Sequence, residues 1–284
     1  MSILNAHVAL VSETDSVQFR ALSTVAAAIQ KQVTRDFGPL WSVNATVDAF
    51  DTLEAVPVDY WPVIIRDDIN EPGAAGFHTD DHGQPFSLVQ FDSNWALTTS
   101  HETLEMLADP FGSRTVAGDP PPQMPDDGPQ LERVLYLVEV CDPCETITYN
   151  VNGQRLSDFI TSHYYDPDGG TGIRYSFRGK IKAPHTVLDG GYVSFGNPVD
   201  NHWYQIVVQD GEAQLRDLGV IQATGGQSLR ELVDRRVREI RVKERYRLKT
   251  AASAAAAAMS GKIPFSNESA SRARFLHEFV KRLK

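Results

Sequence analysis

Apolar residues recur with a helical period early in the chain. Phe19, Leu22, Val25, Ala26, Ile29 and Val33 fall three or four positions apart, which predicts a helix from about Ser16 to Phe37. Before it, Met1-Ser2-Ile3-Leu4-Asn5-Ala6-His7-Val8-Ala9-Leu10-Val11 reads as a first strand, and further strands are expected near 43–50, 60–66 and 85–91. A second helix is expected over roughly 94–108. Trp95, Leu97, Leu104, Met106 and Leu107 lie on more than one of its sides, which marks it as a core helix. Pro120-Pro121-Pro122 and Asp126-Asp127-Gly128 predict a loop without regular structure over 111–130. A loop of that length beside a core helix reads as a lid or an excursion. From 132 to about 220 the pattern is mostly β, with a hairpin at Asn152-Gly153 and a turn at Asp189-Gly190-Gly191. The order of elements predicts an α+β fold.

The pattern changes in the last fifth. Ser228–Leu248 is amphipathic, with Leu229, Leu232, Val233, Val237 and Ile240 along one side. Ala251–Ala258 is almost all alanine, a strong helix former. Gly261 and Pro264 interrupt it, and Ser266 or Asn267 caps an expected last helix carrying Phe275, Leu276, Phe279, Val280 and Leu283. Two regions are therefore expected: a folded domain over 1–226 and a basic helical extension over 227–284.

Charge sharpens that division. Residues 228–284 hold 15 Lys and Arg against 6 Asp and Glu; the totals of 27 and 37 leave 12 and 31 for residues 1–227. Such an acidic body repels phosphate and argues against nucleic acid. The basic tail is expected to pack on an acidic body, its own or that of a neighbouring subunit, or to meet a partner protein. The first residues lack a basic stretch followed by a long apolar core, so they read as a strand and not as a signal peptide, and a cytoplasmic location is expected. No run of about 18 or more apolar residues predicts a membrane span.

Candidate chemistry concentrates on the core helix. Ser100 to Pro110 reads S-H-E-x-x-E-x-x-x-D-P. At about 100° per residue, Glu105, Asp109 and Glu102 lie roughly 40°, 80° and 100° from His101. His101 and Glu105 stand one turn apart and can reach one ion, while Glu102 is offset, as a general base beside a metal should be. A core helix does not carry four such groups on one strip unless they are paired or coordinated. Imidazole nitrogen and carboxylate oxygen both suit zinc. Glu105, standing where H-E-x-x-H has histidine, makes the site more anionic and the metal a weaker Lewis acid. The oxygen-rich set also admits calcium, against which His101 argues.

This string, followed by an apolar strand and Glu139-Val140-Cys141-Asp142-Pro143-Cys144, resembles bacterial zincin-type metallopeptidase-like proteins and, more distantly, the exordium (phosphate-induced) proteins. Gly76-Phe77-His78 before Gly83–Phe86, and Ser157-Asp158-Phe159, belong to the same likeness, which covers roughly residues 1–220. The resemblance implies a zincin-like mixed sheet with an active-site helix, and an edge strand over the substrate cleft. It also implies His101 and Glu105 as metal ligands, Glu102 as base and a downstream acid as third ligand.

Glu139 is the first candidate for that ligand, because it ends the apolar run Val134–Val138 at the edge of the core. Asp109 is the second, but it stands two turns from His101, about 12 Å along the axis. Asp109 suits orienting a ligand or capping the turn before Pro110, and Asp142 suits either role. His78, in a Gly-rich segment before the strand at 85–91, reads first as a turn histidine and otherwise as a group that polarises a substrate carbonyl. Among the others, His163 beside Tyr164 and Tyr165 reads as aromatic packing. Cys141 and Cys144, the only cysteines, lie before an expected strand and not a helix, so a local structural role, as a disulfide or as buried thiols, is expected over redox chemistry. Two function classes follow: a zinc-dependent hydrolase acting on a peptide or protein, and a non-catalytic metal-binding or interaction protein on the same scaffold.

Overall fold

The computed structural model describes residues 4–222 and 227–241. The chain forms two units, Met1–Asp234 and Arg235–Lys284. The first therefore reaches past residue 226 and takes in the start of the basic segment. The Ala251–Ala258 run and the helix expected over 275–283 lie outside the described residues.

The first unit opens with β1 (Leu4–Ser12), α1 (Phe19–Lys31) and β2 (Val43–Phe50), followed by β3 (Tyr60–Arg66), β4 (Gly76–Asp81) and β5 (Gln84–Gln90). They form a five-stranded sheet in the order β2-β1-β3-β5-β4. The first four strands in that order are parallel, and β4 runs antiparallel along β5 at the edge. On β2, Val43, Ala45 and Val47 are buried while Asn44, Thr46 and Asp48 face out, the alternation of a sheet with one covered face. That face joins Leu22, Val25 and Ile29 of α1 in a single apolar core with Leu104 and Met106 of α3 (Trp95–Ala108).

The early helix departs from expectation at its end. After Lys31 it loosens into a π-helical turn, Gln32–Phe37, and resumes as α2 (Gly38–Trp41). Pro39 sits in the first turn of α2, where its missing N–H leaves no bond unmade. The loosened turn carries the buried Gln32, whose amide donates to Ser157 O (2.9 Å) and accepts from Ser100 Oγ (2.9 Å).

The second half is β-rich, which makes the chain α+β. β6 (Thr115–Gly118), β7 (Val134–Leu137), β10 (Tyr192–Gly196), β11 (His202–Gln209) and β12 (Glu212–Val220) form an antiparallel sheet in the order β12-β11-β10-β7-β6. β8 (Thr148–Val151) and β9 (Gln154–Ser157) make a separate hairpin. Asn152 (φ 51°) and Gly153 (φ 85°) turn it, both in the left-handed region that the Asn-Gly pair predicts. β6 corrects the reading of 111–130 as a loop without regular structure: pairing with β7 supplies backbone partners that local sequence does not reveal. Within the described residues, no helix is long and apolar enough to cross a membrane.

Candidate metal centre

α3 stands between the first sheet and the hairpin, packed on β4, β5 and β9. Thr99 and Thr103 return their hydroxyls to the carbonyls of Trp95 (2.7 Å) and Thr99 (2.6 Å), so neither leaves a buried donor unpaired. Ser100 fixes the approach to β9 by accepting the N–H of Ser157 (3.2 Å) while donating to Gln32. The helix stops at Asp109, whose φ of −138° and ψ of 78° fit a residue before proline. Nine of its residues are buried, among them Glu102 and Glu105.

The motif residues converge as the helical spacing predicts. His101 Nε2 lies 3.3 Å from Glu105 Oε1. His78 arrives from edge strand β4, with Nδ1 3.6 Å from Glu102 Oε2 and 3.9 Å from Glu105 Oε2. The two oxygens of Glu105 thus face different neighbours. Oε1 meets His101 and accepts the N–H of Cys141 (3.1 Å), and Oε2 faces His78. Gly76 lets β4 and α3 approach: a Cβ there would meet Glu102 Cγ and Thr98 Cγ2, each at 2.9 Å.

Two groups of donor atoms, each within 4.8 Å of one another, could hold a metal ion: His101, Glu102 and Glu105, and His78, Glu105 and Glu139. Glu105 belongs to both. Glu139, the acid first expected beside His101, lies in the group with His78. On the His101 side a further carboxylate approaches, Asp142 Oδ1, 3.2 Å from Nε2. It comes from the short 3₁₀ turn Asp142–Cys144 that follows β7. Asp109 takes the turn role: its Oδ2 accepts the N–H of Arg114 (2.8 Å).

One member of the centre was not legible beforehand. Arg230 enters from α4 (229–241) and sets its guanidinium among the carboxylates. Nε is 3.2 Å from Glu139 Oε1, Nη2 is 3.4 Å from Glu105 Oε2 and Nη1 is 3.5 Å from Glu102 Oε2. Nη1 also bonds His78 Nδ1 and donates to the His78 carbonyl (3.2 Å). The sequence did carry a signal. Ser228-Leu229-Arg230-Glu231 is a capping box, realised by Glu231 N–H to Ser228 Oγ (3.1 Å) and Ser228 N–H to Glu231 Oε2 (3.2 Å). That box puts Arg230 in the first helical turn, where the macrodipole disfavours a cation. An arginine there implies acceptors outside the helix.

Electrostatics follow from burial. Asp142 is pushed up to about 8, by desolvation first and then by Glu105. Burial also raises Glu139 well above the usual carboxylate range, against the pull of Arg230. For Glu105 burial pushes upward, but the charge of His101 overcomes it and holds the group below its ordinary value. His101 is raised well above its ordinary value, because Glu105 and Asp142 outweigh its desolvation. Among the described residues, buried side-chain atoms without a hydrogen-bond partner include His78 Nε2, Glu102 Oε2, both oxygens of Glu139 and Asp142 Oδ1. Orphans gathered in one place fit a site built to take a cation. Tyr165 and Tyr192 border it, and both phenols are raised, by burial first and next by Glu139 and Asp142 respectively.

Of the other candidates, Cys141 and Cys144 are free, buried thiols with raised pKa values, the inert form of a cysteine pair. Asp158 anchors a turn by accepting the N–H of Arg178 (2.9 Å). His163 is exposed and pairs with Asp166 (2.7 Å). Comparison with family models, with curated proteins and with solved structures finds no match to this chain.

Proposed function

We propose that the chain is a zinc-dependent hydrolase, a metallopeptidase of the H-E-x-x-E type on a zincin-like scaffold. The observation that carries this reading is the convergence of half-buried His101 with buried Glu102 and Glu105 on one helix, with a carboxylate oxygen of Glu102 left without a hydrogen-bond partner. His101 and Glu105 would hold the ion. Asp142 is the nearby carboxylate on the His101 side, and Glu139 lies on the side of His78. A divalent ion there supplies Lewis acidity and makes water a better nucleophile. Glu102 accepts the proton of the attacking water at Oε2 and passes it to the leaving amine. His78, on the edge strand beside the helix, orients the substrate carbonyl. The antiparallel edge strand alongside the motif helix supports the zincin-like reading.

Arg230 favours a second reading, a metal-binding or interaction protein without catalysis. Its ion pairs to Glu102, Glu105 and Glu139 neutralise groups that a hydrolase needs. Metal analysis of the purified protein together with a peptide-library cleavage assay separates the two. Bound zinc, with cleavage that Glu102→Gln abolishes without losing the metal, supports the hydrolase. Bound metal without cleavage supports the second reading. Full activity in Glu102→Gln overturns the mechanism.

A further inference from the structure

We infer that Glu105 divides the centre into two cation positions, and that the chain fills one of them with its own guanidinium. The inference rests on the metal-site reading. The position bounded by His78, Glu105 and Glu139 belongs to Arg230, and a single divalent ion takes the position at His101.

The contacts of Arg230 gather on the His78 group, with one longer contact, 3.5 Å, to Glu102 of the His101 group. Arg230 contacts every member of the His78 group: Glu139 Oε1 at 3.2 Å, Glu105 Oε2 at 3.4 Å and His78 through both its ring and its carbonyl. His101 pairs instead with the other oxygen of Glu105 and with Asp142. A guanidinium has no acceptor, so His78 Nδ1 is the accepting atom in its pair with Nη1. His78, Glu105 and Glu139 each offer an electron-pair donor within 4.8 Å of the others, a set that serves a guanidinium or a divalent ion alike. Glu139 Oε2 is buried without a hydrogen-bond partner, so the position offers an oxygen that the guanidinium does not engage.

Three contacts to two segments fix the placement of Arg230. Its N–H donates to Gly112 O (2.8 Å), and the N–H of Leu229 donates to Ser113 Oγ (3.1 Å). Glu231 Oε1 accepts Thr79 Oγ1 (2.9 Å) from the strand that carries His78. Gly112, at φ 56°, is tight there: a Cβ would stand 3.1 Å from Ser228 Oγ and 3.2 Å from Arg230 Cβ. Charge explains why such a device is useful. Two divalent ions bridged by one carboxylate repel each other strongly in a desolvated site, whereas one ion and one guanidinium balance the same carboxylates with less repulsion.

Zinc stoichiometry on the full chain tests the inference. After dialysis against zinc, the unmodified protein is expected to retain about one equivalent and Arg230→Met about two, while Arg230→Lys, which restores a cation, stays near one. Two equivalents in the unmodified protein, or one in Arg230→Met, overturn the division. Zinc bound only after Arg230 is removed overturns it as well, because the guanidinium then blocks the whole centre. No zinc in any variant means that the metal reading itself has failed. A measurement on the unmodified protein stands apart from the folding of variants: the Arg230 Nε–H resonance should stay protected from exchange after one equivalent of zinc is added. Its loss on loading would show that the ion displaces the side chain.

Discussion

Leu104 and Glu105 are neighbours on α3, and both are completely buried. Leu104 belongs to an apolar core that joins the two sheets, and Glu105 to a centre of carboxylates, imidazoles and one guanidinium. The core is stabilised by removing apolar area from water, about 25 cal/mol per Å². The ionic centre gains little from its own burial, because desolvating charges costs about what their attraction returns. One region therefore exists for stability and the other despite it, and the same kind of substitution should act oppositely in the two.

Glu102→Gln is expected to have the largest effect: a loss of roughly 10²–10⁴-fold in turnover, the usual contribution of a general base. The metal-free variant should melt no lower than the parent, which differential scanning calorimetry will check; a marked fall would make Glu102 part of the stabilising framework. Leu104→Ala should do the reverse. It should cost about 2–5 kcal/mol and lower the melting temperature by something on the order of 10 °C, with zinc stoichiometry unchanged in dialysis. Gly76→Ala tests the boundary between the regions. Its Cβ pushes Glu102 aside, so turnover should fall about tenfold or more while overpacking costs about 1–3 kcal/mol. Equal activity in Gly76→Ala would mean that the position of Glu102 is not critical.

The smallest effect is on pH. Asp142, Glu139 and His101 all have folded-state values above their ordinary ones. A raised value contributes stability below the unfolded pKa that is lost as pH rises through the folded one. For Asp142 that window runs from its ordinary 3.8 to about 8. Glu105, lowered, acts oppositely, but only below its ordinary 4.5. The metal-free protein should thus melt a few degrees lower at about pH 9 than at about pH 6. Zinc should reduce that fall, since its binding releases protons. A metal-free chain that gains stability over this range would contradict the charge assignment.

The features that could be read in advance were those fixed by local periodicity. His101, Glu102 and Glu105 share a face because helical spacing requires it, and the Asn152-Gly153 turn follows from what those two residues tolerate. β4 went unrecognised because the Gly73–Gly76 run before it and the Asp80–Gly83 turn after it hide its alternation; its pairing with β5 supplies the strand. The break after Lys31 depends on buried Gln32 meeting Ser100 and Ser157, far away in sequence. Arg230 lay in a segment whose basic, amphipathic character averaged over its members, so its individual role was lost in the composition. Glu139 shares a candidate metal group with Glu105, as expected, but with His78 as the third member. A strand end fixes where Glu139 starts but not which side of Glu105 it faces.

The span of the Arg230 contacts bears on the order in which the protein assembles. His78 and Arg230 are 152 residues apart, and Glu105 and Arg230 are 125 apart. Closing loops of that length costs chain entropy before any contact compensates for it. Until those contacts close, Glu102, Glu105 and Glu139 lack the guanidinium that balances them. The number of cation places in the finished protein is therefore fixed by a residue far along the chain from the helix that carries the acids.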